Sequence, residues 1–128
     1  MKHPYLKVVI VCIATFLVIS NLFAQESKNI LLGKIYTKSA SADNISTLNF
    51  TSSNSGKSYT VANVLGKNYE SSIFFNYKIE GEKVTITYEN FSDKEVYNID
   101  LASGKLISTH LEGYVDGKWG KVFWVEKK

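Results

Sequence analysis

The chain of 128 residues has no arginine, a single cysteine, a single proline, a single methionine and two histidines. Each scarcity removes a class of chemistry. Phosphate and base recognition lean on the bidentate guanidinium fork, so a chain whose basic residues are all lysine is poorly equipped for nucleic acid. The charge balance agrees: the fifteen lysines less Lys2 and Lys7 leave thirteen against twelve acidic residues. The lone cysteine, Cys12, lies in the apolar N-terminal run. It leaves the rest of the chain without a disulfide, a thiolate nucleophile or a thiolate metal site. His110 is the only histidine beyond that run. One imidazole without cysteines cannot assemble a zinc site, so no cofactor or metal is implied and His110 reads as a solvated strand residue. No stretch approaches the ~20 apolar residues that a spanning helix needs.

The first residues have the three parts of a secretory signal peptide. Lys2 and Lys7 supply the positive start, Val8 to Ile19 the apolar core, and Ala24 a small residue before the polar Gln25-Glu26-Ser27-Lys28. The expectation is a helical signal peptide over 1–24 and a single domain over 25–128, exported to the periplasm or beyond. Leu22 is larger than the usual cleavage pattern prefers, which leaves the cut itself open. An uncleaved anchor is the alternative. Lipidation is set aside because Val11, not a small residue, precedes Cys12. About a hundred residues can bury roughly 65% of their unfolded surface, enough for one core and not two.

What remains is rich in Tyr, Phe, Ser, Thr and Asn, the composition of pleated sheet and turns. The apolar period is two almost throughout. Ile73, Phe75, Tyr77 and Ile79 share one face, with Asn76, Lys78 and Glu80 on the other; Glu80-Gly81-Glu82 turns the chain into Val84-Thr85-Ile86-Thr87-Tyr88. Further strands are expected over 95–101, 106–112 and 118–126, the last entered through Asp116-Gly117, a strong type I′ hairpin signal. Upstream, strands are expected over 30–37, 45–51 and 59–64, with polar loops over 38–44 and 65–72. The expected fold is all-β: an antiparallel meander of about eight strands forming a small barrel or half-barrel, with no helix longer than a turn or two beyond the signal peptide.

Several strings carry a resemblance. Leu31-Leu32-Gly33-Lys34-Ile35-Tyr36, then Leu48-Asn49-Phe50-Thr51-Ser52, then Phe75-Asn76-Tyr77-Lys78-Ile79 with Gly81, then Val84-Thr85-Ile86-Thr87-Tyr88 and Tyr97-Asn98-Ile99 together resemble the short lipocalin-like domains of secreted bacterial proteins. The resemblance spans Leu31 to about Ile107, with Tyr36 where tryptophan is common. It implies a binding module rather than an enzyme, and no catalytic residues to carry over.

The residues themselves point the same way. No G-x-S-x-G, G-x-G-x-x-G or Walker string occurs, and Glu80, Glu82, Glu89, Asp93 and Glu95 read as turn or solvated-face carboxylates. Asn44-Ile45-Ser46, Asn49-Phe50-Thr51 and Asn90-Phe91-Ser92 fit the glycosylation sequon, as strings in an Asn- and Ser-rich chain readily do. The aromatics remain. Tyr36, Phe50, Tyr59, Phe75, Tyr77, Tyr88 and Tyr97 fall on or near expected inward faces. They either fill the core, as side chains can in an eight-stranded barrel, or line a cavity for a small apolar or amphiphilic ligand. Trp119, Phe123 and Trp124 form a second candidate: Val122 to Val125 is apolar on both faces, so it is either covered on both sides or presents a patch to an envelope protein. The expected function is therefore an exported non-enzymatic binding module, with a protein-interaction or structural domain of the cell envelope as the alternative. Oligomeric state is left open.

Overall fold

The structure is a computed structural model, and residues 29–128 of it are described. The expected signal peptide lies outside them. From Leu31 onward the chain is one closed antiparallel barrel of eight strands, each paired with its neighbours in sequence. The strands are β1 (Ile35–Ser41), β2 (Asn44–Asn49), β3 (Ser55–Val64), β4 (Lys67–Glu80), β5 (Lys83–Tyr88), β6 (Lys94–Asp100), β7 (Lys105–Val115) and β8 (Lys118–Glu126). There is no helix among the described residues.

Turn chemistry sets the meander. Asp116 and Gly117 both have positive φ, 53° and 78°, as a type I′ turn requires. Leu65 and Gly66 do the same at 54° and 82°, so the expected loop over 65–72 is instead a two-residue turn followed by the longest strand of the barrel. Leucine is a poor signal for a left-handed position, which hides this turn in the sequence. The expected polar loop over 38–44 is likewise strand, broken only at Ala42-Asp43. At the other end the apolar Ile30-Leu31-Leu32 string is not strand. Leu31 to Lys34 forms a turn held by Gly33 N–H donating to Phe50 O (2.8 Å) and Phe50 N–H donating to Lys34 O (3.1 Å), which buries Leu31 completely.

Alternation then divides the interior into two halves. Toward the end carrying Leu31 and the β2–β3, β4–β5 and β6–β7 turns, the lining is apolar: Tyr36, Leu48, Phe50, Phe75, Tyr77, Val84, Ile86, Tyr97, Ile99 and Leu106 are all buried. Gly56 makes room for this cluster, since the Phe75 ring occupies the place of any Cβ there. Toward the opposite end, where β1–β2, β3–β4, β5–β6 and β7–β8 turn, the same strands carry half-buried or buried polar groups: Lys38, Ser46, Ser58, Thr60, Glu95 and Ser108. Ser46 Oγ and Thr60 Oγ1 lie 3.0 Å apart across the β2–β3 pair. This end is open.

Closure is brief. β1 and β8 pair only at Tyr36–Glu126 and Thr37–Val125, supported by Lys127 N–H donating to Ile35 O at 2.7 Å. Above that seam the β7–β8 tip leans back onto β1, with Asp116 N–H donating to Ser39 O at 2.7 Å.

Candidate functional site

The site arises where β7 leaves β6. The two strands pair from Asp100–Lys105 to Tyr97–Ser108 and no further. On the other side of β7, the register with β8 jumps from Ile107–Phe123 to Glu112–Lys121, so Ser108 to Leu111 stand opposite Val122 alone. An excess of this kind bends the strand. The bend is held by Ser108, whose buried Oγ accepts from His110 N–H (3.2 Å) and Leu111 N–H (2.8 Å). Thr109 Oγ1 ties back to β6 by donating to Val96 O at 3.2 Å.

The parting opens a cleft of about 580 Å³ at the rim of the barrel, lined by Tyr88, Phe91, Asp93, Lys94, Glu95, His110 and Leu111. That volume falls in the range of small-molecule sites. Its Glu95 carboxylate is held in place from behind. The fully buried Tyr97 donates its phenol to Glu95 Oε1 at 2.7 Å, and the Tyr88 phenol faces the same carboxylate. Burial first, and the Glu95 charge second, push both phenols well above the ordinary tyrosine range. They therefore remain hydrogen-bond donors at any physiological pH. Lys38 lies deeper, its ammonium 4.5 Å from the centre of the Trp124 ring. Burial lowers its pKa, and the Glu95 carboxylate opposes that shift. Among the described residues the buried Trp124 indole N–H has no acceptor in hydrogen-bonding geometry. The rim is mixed: Phe91 is exposed and Leu111 half-buried, and between them stand the exposed Asp93, Lys94 and His110. Chemically the cleft offers the Glu95 and Asp93 carboxylates, the Tyr88 phenol, Lys94 and His110 to polar groups and Phe91 and Leu111 to an apolar one.

Most of the aromatic candidates lie elsewhere. Phe50 meets Tyr36, Phe75 and Tyr77 edge-on, with ring centres 5.9, 5.3 and 4.9 Å apart. With Tyr97 these residues fill the closed half as core; of the interior set only Tyr88 reaches the cleft. Tyr59 is not inside at all. The inward positions of β3 are Gly56 and Ser58, small because aromatic rings fill the space beside them, and Tyr59 faces outward with Lys57 over its ring. The C-terminal candidates separate as well. Trp124 is buried inside the barrel. Phe123 is half-buried on the outer face beneath the Lys105 ammonium, and Trp119 is exposed against Tyr114, ring centres 5.1 Å apart. They do not form one patch. The six lining residues other than Tyr88, namely Phe91, Asp93, Lys94, Glu95, His110 and Leu111, were missed from sequence, as was Lys38 behind them; His110, Asp93 and Glu95 read there as solvated. Glu95 shares a face with Tyr97 and Ile99, so period two places it inward, though its charge suggests solvent. Lys38 follows Tyr36 by two but fell in an expected loop. Leu111 turns inward only because of the bend.

Comparison with protein-family models, curated proteins and solved structures finds no match to this chain.

Proposed function

We propose that this chain is an exported, non-enzymatic binding module that takes a small amphiphilic ligand at the open end of its barrel. The carrying observation is the cleft between the parted β6 and β7, which sets the Glu95 carboxylate and the Tyr88 phenol beside the apolar Phe91 and Leu111, with Asp93, Lys94 and His110 at its edge. A preformed concavity with a few convergent polar groups is the usual form of such a site. The lipocalin-like resemblance of the sequence supports the same reading, with one change: the ligand sits at the mouth, because rings already fill the closed half.

Titration of the protein with two dansylated amphiphiles, one with an amine head and one with a carboxylate head, tests it. Saturable binding to at least one is expected, weakened tenfold or more by Leu111→Asp and unchanged by Tyr59→Ala, with both variants folded by circular dichroism. No saturable binding to either probe, or equal loss in both variants, overturns it.

A further inference from the structure

The β3–β4 hairpin stands beyond the rest of the barrel, and one side of it has no neighbour among the described residues. β4 pairs with β3 from Val64–Lys67 to Ser55–Asn76, but with β5 only from Phe75–Tyr88 onward. Along Lys67 to Phe74 no strand of the described residues lies on its outer side. The direction of each backbone group follows from two bonds. Glu89 N–H donates to Phe74 O (2.8 Å) on the β5 side, and Tyr77 N–H donates to Asn54 O (2.9 Å) on the β3 side. Backbone groups alternate along an antiparallel ladder, so Asn68, Glu70 and Ser72 point their N–H and C=O toward the open side. No proline or bulge protects this edge, and edges so exposed invite strand pairing. The hairpin also carries apolar side chains left exposed among the described residues: Leu65 is 99% exposed, Tyr69 57% and Phe74 58%.

We infer that this edge binds a second copy of the chain, β4 against β4, antiparallel about a two-fold axis through Tyr69. Charge and sterics select that register. An axis through Glu70 sets two carboxylates side by side, which is destabilising. An axis through Ser71 sets Asn68 against Phe74, whose carbonyl already holds Glu89. With the axis at Tyr69, Glu70 faces Asn68 of the second copy and each exchanges both backbone bonds. The two Tyr69 rings meet on the axis at a non-hydrogen-bonded position, where side chains are closest, and Leu65 comes over Ile73 of the second copy. Closed two-fold symmetry is the commonest arrangement of self-association. The contact is far smaller than the ~1,600 Å² of a standard interface, so the dimer is weak.

Sedimentation equilibrium of the protein from low-micromolar to near-millimolar concentration is expected to show monomer giving way to dimer. Glu70→Pro removes an N–H that faces away from β3, a position where an edge strand tolerates proline, and is expected to weaken the dimer at least tenfold while the barrel persists. A second pair of variants tests register independently of that substitution. In a Cys12→Ser background, mild oxidation is expected to cross-link Tyr69→Cys at least tenfold more than Ser71→Cys, because residue 69 meets itself across the axis and residue 71 meets Lys67. Monomer at every concentration overturns the inference, as do a dimer indifferent to Glu70→Pro and equal cross-linking of the two cysteine variants.

Discussion

Truncating Phe50 to alanine separates a packed core from a ligand-ready lining. Phe50 is 1% exposed and touches three other rings edge-on. Removing a buried phenylalanine side chain costs ~3–5 kcal/mol through lost transfer energy and the cavity left behind. Edge-to-face pairs add ~0.5–1.5 kcal/mol each beyond area, which places this site toward the top of that range, at about 5 kcal/mol. A domain of this size has only ~5–15 kcal/mol in total. With a urea dependence of ~1–3 kcal/mol per molar, the midpoint of Phe50→Ala is expected to fall by about 2–5 M, or the variant to be unfolded without denaturant. Phe50→Leu, which keeps most of the area and loses the ring contacts, is expected to lose about 1–2 kcal/mol. Tyr59→Ala on the outer face is expected to change stability by less than ~0.5 kcal/mol. The assay is equilibrium urea unfolding followed by tryptophan fluorescence. A shift for Phe50→Ala no larger than that for Tyr59→Ala would refute the packed closed half. The cleft would then have to be sought among these rings.

Alkali should unfold the barrel through its buried phenols. Burial pushes Tyr36 up to about 12, with Tyr88 and Tyr97 also raised, while an unfolded tyrosine ionises near ~10. The folded state thus holds these protons longer, so their contribution is whole below pH ~10 and declines as pH climbs toward the folded values. Urea midpoints measured at rising pH should drop from there, less steeply in Tyr97→Phe, and a flat profile would contradict the burial. Ser108→Ala should cost ~1–3 kcal/mol by stranding two amides and should also weaken probe binding, because the bend that forms the cleft relaxes. Faster amide exchange at His110 and Leu111 would report it, and unchanged exchange would show that the bend does not depend on Ser108. Leu65→Asn should raise stability by about 1 kcal/mol, since a left-handed position strains leucine and suits asparagine. Thermal unfolding at low protein concentration is the check, and a lower midpoint would count against the turn.

The sequence carried the fold where side-chain alternation and turn chemistry agreed, as from Ile73 through Tyr88 and at Asp116-Gly117. It misled where one residue served two demands. Leu65 occupies a turn position that Asn or Gly would announce, so a fourteen-residue strand looked like a loop. Tyr59 and Val61 alternate like core residues, but the interior beside them is already filled by rings from β4, and β3 contributes Gly56 and Ser58 instead. Leu31 reads as the start of a strand because burial by capping and burial by pairing demand the same side chain. The candidate site was the least legible part. It depends on a three-residue excess in β7 whose only trace is Ser108, one serine among many.

Both the cleft and the open edge follow from unequal strands. A barrel in which every strand met its neighbours along its whole length would have a level rim and no unpaired backbone. Here β4 runs for fourteen residues beside a β5 of six, so its first half outlives its neighbour. β7, of eleven residues, runs beside a β6 of seven and must bend once that partner ends. The two excesses are resolved differently because of local sequence. Ser108 and Thr109 can satisfy their own backbone and that of β6, so β7 folds back and encloses a concavity. Among the described residues Asn68 to Ser72 has no such bond to β5, and its side-chain bond, donated by Asn63 Nδ2 to Asn68 Oδ1, stays within the hairpin, so β4 stays extended along β3. A short side-chain-to-backbone bond thus decides whether surplus strand becomes a pocket or an edge. Moving the serine should move the pocket, which makes the placement of Ser108, more than the count of strands, the feature by which a related barrel would be recognised as sharing this site.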